Sequence, residues 1–301
     1  MSQWTLYPAI VAATRAITGI YQPVIERCCQ EFGISSQCLF ILLAVPTFEP
    51  KPVSVEILNI RSPYTAPDQY QAILQELARK GYLHTAAEGQ YRITSTGLDL
   101  LKTFLTAVYQ IMGDNQSLPL IEQMDLASRL KMLADSCLAA PDPPGTWCIR
   151  HVRRMDPGTR VPMMARIDQF LSELQAFRDD AHLAAWRGIE SNGHTWDILT
   201  HLWVHREANP DSIFQALARR GNSREQSLTA VELLIKRGWI KREGVNLSIT
   251  SYGAELRQNA ENTTDRYYLA PFKKFPAVQM EQTIALLEKL HRDFSTHIAG
   301  I

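Results

Sequence analysis

Two stretches decide how this chain folds, Gln90-Tyr91-Arg92-Ile93-Thr94-Ser95-Thr96-Gly97 and Asn246-Leu247-Ser248-Ile249-Thr250-Ser251-Tyr252-Gly253, which share Ile-Thr-Ser-x-Gly. Each follows a helical segment ending in a basic pair and a glycine: Glu76-Leu77-Ala78-Arg79-Lys80-Gly81 in one case, Leu233-Leu234-Ile235-Lys236-Arg237-Gly238 in the other. Gly238 stands 157 residues after Gly81 and Ile249 stands 156 after Ile93, so the register holds. Upstream, Leu39-x-x-Leu42-Leu43-x-Val45 aligns with Ile198-x-x-His201-Leu202-x-Val204, and the helical stretch from Tyr7 with the one from Arg166, all at an offset of 159. A drift of three residues across the copy is what differing loop lengths give. Internal similarity of this kind reorganises every later inference.

Both copies carry the same succession of signals. A long helix, about 5–31 and 162–191, precedes a second helix expected to start at a hydroxyl cap, Ser36 or Thr195, ahead of an apolar run. Two short helices follow, 53–60 and 67–80 in the first copy, 211–220 and 223–237 in the second. The closing glycine supplies a left-handed C-cap. Two β-prone runs then flank a small turn, 82–85 with 90–93 and 239–241 with 245–249, and read as a hairpin wing. A helix leaves each hairpin, about 96–112 and 252–268, and an amphipathic helix closes each copy, about 119–138 and 278–297. Between the copies, Pro141, Pro143, Pro144, Gly145, Pro157, Gly158 and Pro162 cannot continue a helix and read as the connector. The expected organisation is a first repeat over 1–140, a Pro/Gly-rich linker over 141–161 and a second repeat over 162–301, mainly α with short β-hairpin wings.

Composition narrows the function classes. The chain has 301 residues, of which 46% are hydrophobic and 21% charged, enough to build two cores and too apolar for a disordered chain. Lys plus Arg and Asp plus Glu both number 31, so attraction to a polyanion has to come from a local patch. The N-terminus lacks the pattern of a secretory signal and no run of eighteen apolar residues occurs, which predicts a cytoplasmic protein with no membrane partner. The five cysteines are an odd number without zinc-finger spacing and are expected to be reduced. Cys28 and Cys29 read as buried apolar thiols. His201 and His205 have the spacing of two ligands on one helix face. His201, however, aligns with the core position Leu42 and no glutamate lies between the histidines, so no metal is expected. No nucleophile elbow, phosphate loop or dinucleotide fingerprint is present, and neither catalysis nor a cofactor is expected. The aromatic and basic segment Tyr267-Tyr268-x-x-Pro271-Phe272-Lys273-Lys274-Phe275 reads as a packed helix corner, with a nucleic-acid stacking platform as the alternative.

The order helix, helix, helix-turn-helix, two-stranded wing, helix, helix resembles the MarR family of winged-helix regulators, and it occurs twice. The resemblance rests on that order and on the pattern Leu-x-x-x-Gly-Tyr/Trp-Leu/Ile, short wing, Ile-Thr-x-x-Gly. It implies subunits whose first and last helices interlock and which each present one recognition helix to a major groove. A duplicated chain would make that arrangement alone, as two winged helix-turn-helix domains in an internal pseudo-dimer, a monomer acting as its own dimer. The expected function is then a sequence-specific regulator binding double-stranded DNA.

Charge favours the second copy as the reader. Residues 51–101 hold five cations against five anions, while 206–257 hold nine against six. In the second copy Ser223, Arg224, Gln226 and Ser227 are assigned to base edges, and Arg219, Arg220, Lys241 and Arg242 to phosphate. The first-copy equivalents are Thr65, Asp68, Gln69 and Gln71, with Arg61 the one nearby cation. A solvated helix face is the alternative reading of these residues. Arg15, Tyr21, Arg178, His182 and Trp186 are candidates for a crevice that takes a small aromatic or anionic ligand, the alternative being an interhelical salt-bridge network. The wings are shorter than is usual in the family and lack its Asp-x-Arg element. These features permit a second function: a scaffold that no longer reads DNA and serves ligand sensing or protein interaction.

Overall fold

The computed structural model describes residues 5–115, 117–189 and 191–298. In the first half lie α1 (Leu6–Phe32), α2 (Ser36–Ala44), α3 (Val55–Arg61), α4 (Pro67–Arg79), β1 (Leu83–Ala87), β2 (Gln90–Ile93), α5 (Ser95–Asp114) and α6 (Leu120–Leu138). After α7 (Trp147–Arg153), the second half runs α8 (Met163–Trp186), α9 (Gly193–His205), β3 (Glu207–Ala208), α10 (Pro210–Leu217), α11 (Arg224–Lys236), β4 (Ile240–Glu243), β5 (Asn246–Ile249), α12 (Ser251–Leu269) and α13 (Ala277–Ile298). The fold is mainly α-helical with small antiparallel sheets.

The shared Ile-Thr-Ser-x-Gly motif makes one device in two places. Thr94 and Thr250 cap α5 and α12, each hydroxyl accepting from the glycine amide three residues on at 3.0 Å. The same hydroxyls donate to the carbonyls of Gly81 and Gly238 at 2.7 Å, tying the helix start to the loop before the hairpin. Glycine is required because the chain passes so close: a Cβ on Gly97 would lie 2.3 Å from the Tyr82 carbonyl oxygen, and one on Gly253 2.0 Å from that of Trp239.

Hairpin registers follow, Leu83 facing Ile93 and Ile240 facing Ile249. Each hairpin gains a partner that the sequence reading missed. Val53 bridges to Tyr91, and the two-residue strand β3 pairs with β5. The α2 and α9 caps also differ from expectation. Ser35 caps α2 by accepting from the Cys38 amide at 3.1 Å, and Asn192 caps α9 by accepting from the Thr195 amide at 2.8 Å. Ser36 and Thr195 are therefore inside their helices, and Thr195 is buried.

Long helices hold the molecule together. α1 packs on α5 and on α13, while α8 packs on α12 and on α6, so the first helix of each half lies against the last helix of the other. α8 buries residues around most of its circumference, among them Ile167, Phe170, Leu174, Phe177 and Ala181, as a central helix must. The connector is a packed element rather than the non-helical link expected. Asp180 accepts from the amides of Cys148 and Ile149 at 2.7 and 3.1 Å, satisfying the start of α7. Arg153 at its end pairs with buried Glu173 at 2.6 Å and with Asp135 at 2.9 Å. All five thiols are free, and burial pushes their pKa values up. Tyr268 and Phe272 are buried edge to face, with centroids 5.4 Å apart, which makes the aromatic corner part of the core. No single helix among the described residues is long and apolar enough to cross a membrane.

Candidate nucleic-acid interface

α3 with α4, and α10 with α11, form the two helix-turn-helix units. In the second, Pro210 opens α10, and Ser223 opens α11 through a reciprocal cap. Its hydroxyl accepts from the Gln226 amide at 3.1 Å, and the Gln226 side chain accepts from the Ser223 amide at 2.7 Å. That cap occupies Gln226. Ser227 is buried, bonded to His194 at 3.0 Å and to the Ser223 carbonyl at 2.9 Å, so it does not face a groove.

The cations of this half divide into two groups. Arg220 is half-buried, paired with Asp197 at 2.9 Å and lying 5.2 Å over the Tyr64 ring. Arg219 is exposed. Arg224 pairs with Asp211, both more than 60% exposed, and the Lys241–Glu243 and Arg242–Glu232 pairs are similarly open. Exposed pairs of this type contribute about 0–1 kcal/mol each, so a phosphate can replace their carboxylates at little cost. Lys236, which the sequence reading passed over, is exposed at the end of α11. The outer side of α11 also exposes Glu225, Leu228, Thr229 and Glu232.

In the first unit three of the expected residues make internal bonds, the Arg61–Asp179 pair being 40% and 45% exposed. Arg61 pairs with Asp179 of α8 at 2.8 Å, Gln71 donates to the Tyr91 hydroxyl at 3.0 Å, and Gln69 donates to Gln37 at 3.0 Å. Asp68 is exposed and Thr65 partly so.

The two units touch each other through their turns. The Ala66 amide donates to the Arg220 carbonyl at 2.7 Å, and Gln37 donates to the Arg219 carbonyl at 3.0 Å. Gly221, at φ 74°, lies against Gln69, where a Cβ would meet the glutamine Cβ at 2.5 Å. The start of α9 accepts the same turn, since a Cβ on Gly193 would stand 2.0 Å from the Pro63 carbonyl oxygen. Tyr64 fills the seam, accepting at its hydroxyl from the Trp186 indole at 3.1 Å, and Trp186 stacks on Trp196 with centroids 5.4 Å apart. Sequence reasoning missed Gln37, Tyr64 and Gly193 because their partners lie more than a hundred residues away.

The expected ligand residues do not converge. Arg15 is exposed, and Tyr21 faces a cavity beside α5. Arg178 bonds Asp265 at 2.7 Å and also Glu261, and lies 4.1 Å over the Tyr7 ring. His182 bonds Thr264 at 3.2 Å; burial lowers its pKa to about 4, with the nearby Arg257 charge adding to the effect. Trp186 belongs to the seam. His201 and His205 lie with ring centroids 4.4 Å apart and planes tilted by 41°, and among the described residues no cluster of metal-ligand type is found.

Residues 163–299, just under half of the chain, match the model of a helix-turn-helix family. No curated protein and no solved structure gives a match. The family match supports a helix-turn-helix DNA-binding domain in the second half, the half that contains α10, α11 and the exposed cations described above.

Proposed function

We propose that the chain is a transcriptional regulator that binds double-stranded DNA through the second half, as a monomer whose two winged halves form a MarR-like internal pseudo-dimer. The observation that carries this reading is the open set Arg219, Arg224, Lys241 and Arg242 around α11 and its hairpin, on a segment that matches a helix-turn-helix family. Arg224 at the first turn of α11 reads base edges, and the other three grip phosphate. The reciprocal packing of α1 on α13 and α8 on α6 supports the pseudo-dimer, because it is the pattern that interlocked terminal helices of two subunits make. A small molecule held between the halves tunes their contact. No catalytic role is proposed.

The test is a salt series of binding to duplex DNA. Three phosphate-facing cations give a slope of log affinity on log salt of about −3. Arg224→Ala relaxes sequence choice, and Lys241→Ala flattens the slope by about one while leaving sequence choice unchanged. A flat response favours the second reading, a scaffold that senses ligands or partners without reading DNA. The specific observation behind that alternative is the occupied state of Arg61, Gln69 and Arg220 and the acidic and apolar outer face of α11.

A further inference from the structure

A cavity of about 500 Å³ lies between α1, α2 and α5 of the first half, the connector and α8. One wall is apolar, formed by Leu43, Leu101, Phe104, Leu105, Val108 and Met112, while Thr47, Gln169, Ser172 and Gln175 make other parts of the lining polar. Into it faces Asp168 of α8, in the company of Tyr21 from α1 and Tyr109 from α5. Oδ1 of Asp168 is buried and has no hydrogen-bond partner. The two arginines on the same cavity are engaged elsewhere, Arg61 with Asp179 at 2.8 Å and Arg154 with the Glu49 carbonyl.

Folding alone gives no reason for this carboxyl. Asp168 is half-buried, and holding its Oδ1 out of water without a partner is costly while the carboxyl is ionised; at the offset of 159 the aligned residue in α1 is Ala9, a buried core residue. Burial raises the Asp168 pKa to about 7. Burial and the Asp168 charge push both tyrosine hydroxyls up as well, and exposed Asp156 of the connector acts on Tyr109 in the same direction. The site thus has spare negative charge, two aromatic rings and an apolar wall, in a volume typical of small-molecule sites.

The geometry points to a binding site for an aromatic amine, its cationic nitrogen on the Asp168 carboxylate beside Tyr21 and Tyr109 and its ring system against the apolar wall. The charge is opposite to that of the anionic ligand expected from the sequence. This inference rests on the ligand-tuned part of the reading above and is independent of DNA binding. The cavity also touches Phe40, Leu43 and Ala44 of α2 and Arg61 at the end of α3, immediately before the turn docked on the second half. An occupant therefore bears directly on the contact between the two helix-turn-helix units.

Isothermal titration of the DNA-free protein at pH 8 with tryptamine, tryptophol and indole-3-acetate tests the assignment, since the three share a ring and differ in charge. Tryptamine is expected to bind at least about tenfold more tightly than tryptophol, with no heat from indole-3-acetate. Asp168→Asn brings tryptamine to the level of tryptophol, and Leu105→Trp, which fills the cavity and keeps the carboxyl, abolishes both. At pH 6 tryptamine binding releases a proton, so its enthalpy changes with the ionisation enthalpy of the buffer. Equal affinity for tryptamine and tryptophol, unchanged tryptamine binding in Asp168→Asn, or no binding of any probe up to millimolar concentration overturns the proposal. A negative result here leaves the DNA reading standing, and a flat salt series leaves this site standing.

Discussion

Single residues carry constraints that the fold accepts at a cost. Arg206, at the end of α9, has φ 68° and ψ −44°, the one positive φ outside glycine among the described residues. That region is strained for a side chain with a Cβ, and the Arg206 side chain is exposed. Arg206→Gly is expected to stabilise the protein by about 1 kcal/mol, read as a higher urea midpoint; a lower midpoint contradicts the strain argument. Asp168 is the second case. Its folded pKa of about 7 lies above the usual carboxyl value, so the folded state binds the extra proton and stability declines as pH rises from about 4 to 7. Asp168→Asn removes that loss. Its advantage over the parent grows across that window, levels off above pH 7 at about 4 kcal/mol and is small at pH 4, as melts at each pH would show.

At the scale of elements, the fold was legible wherever the instruction is local. Thr94 with Gly97 and Thr250 with Gly253 could be read because cap, tether and close approach all fall within sixteen residues of one another. Gly97→Ala and Gly253→Ala each force a Cβ onto a backbone carbonyl and are expected to cost at least about 3 kcal/mol, whereas Gly89→Ala, with open space at its Cβ, costs about 1. Equal losses at the three positions would refute the close-approach argument. What stayed illegible depends on partners far along the chain. Helix α7 sits in a proline-rich stretch and is stabilised by Asp180 and Glu173, which no window around Trp147 contains. The seam between α8 and α12 is similar: Arg178 and His182 were legible as polar residues but not as partners of Asp265 and Thr264. Because burial lowers the His182 pKa to about 4, the unfolded chain binds the proton first, and stability falls as pH drops from about 6.5 to 4. His182→Gln keeps a group for Thr264 and removes the titration. It should lose roughly 2 kcal/mol less than the parent between pH 7 and 4.5, and parallel acid melts for the two proteins would rule this out.

For the whole molecule, the contact between the two turns decides how DNA can be met. Ala66 is bonded to Arg220 at 2.7 Å, and the four residues from Arg220 to Arg224 span at most about 14 Å, so α4 and α11 begin within roughly 20 Å of each other. Recognition helices in successive major grooves stand about 34 Å apart. On the proposed reading, the arrangement seen suits α11 alone in one groove, with the first half as its fixed companion. Engagement of both units would require the seam of Tyr64, Trp186, Gly193 and Gly221 to part. The Ala66 amide reports on this, because its hydrogen bond exists only while the turns are docked. Hydrogen exchange of the peptide spanning 62–69 is expected to be slow in the free protein, faster in Tyr64→Ala, which removes the side chain at the centre of the seam, and still slow when duplex DNA is bound. Fast exchange on DNA, together with a footprint of about twenty base pairs rather than about ten, would mean that the halves separate and that both units read.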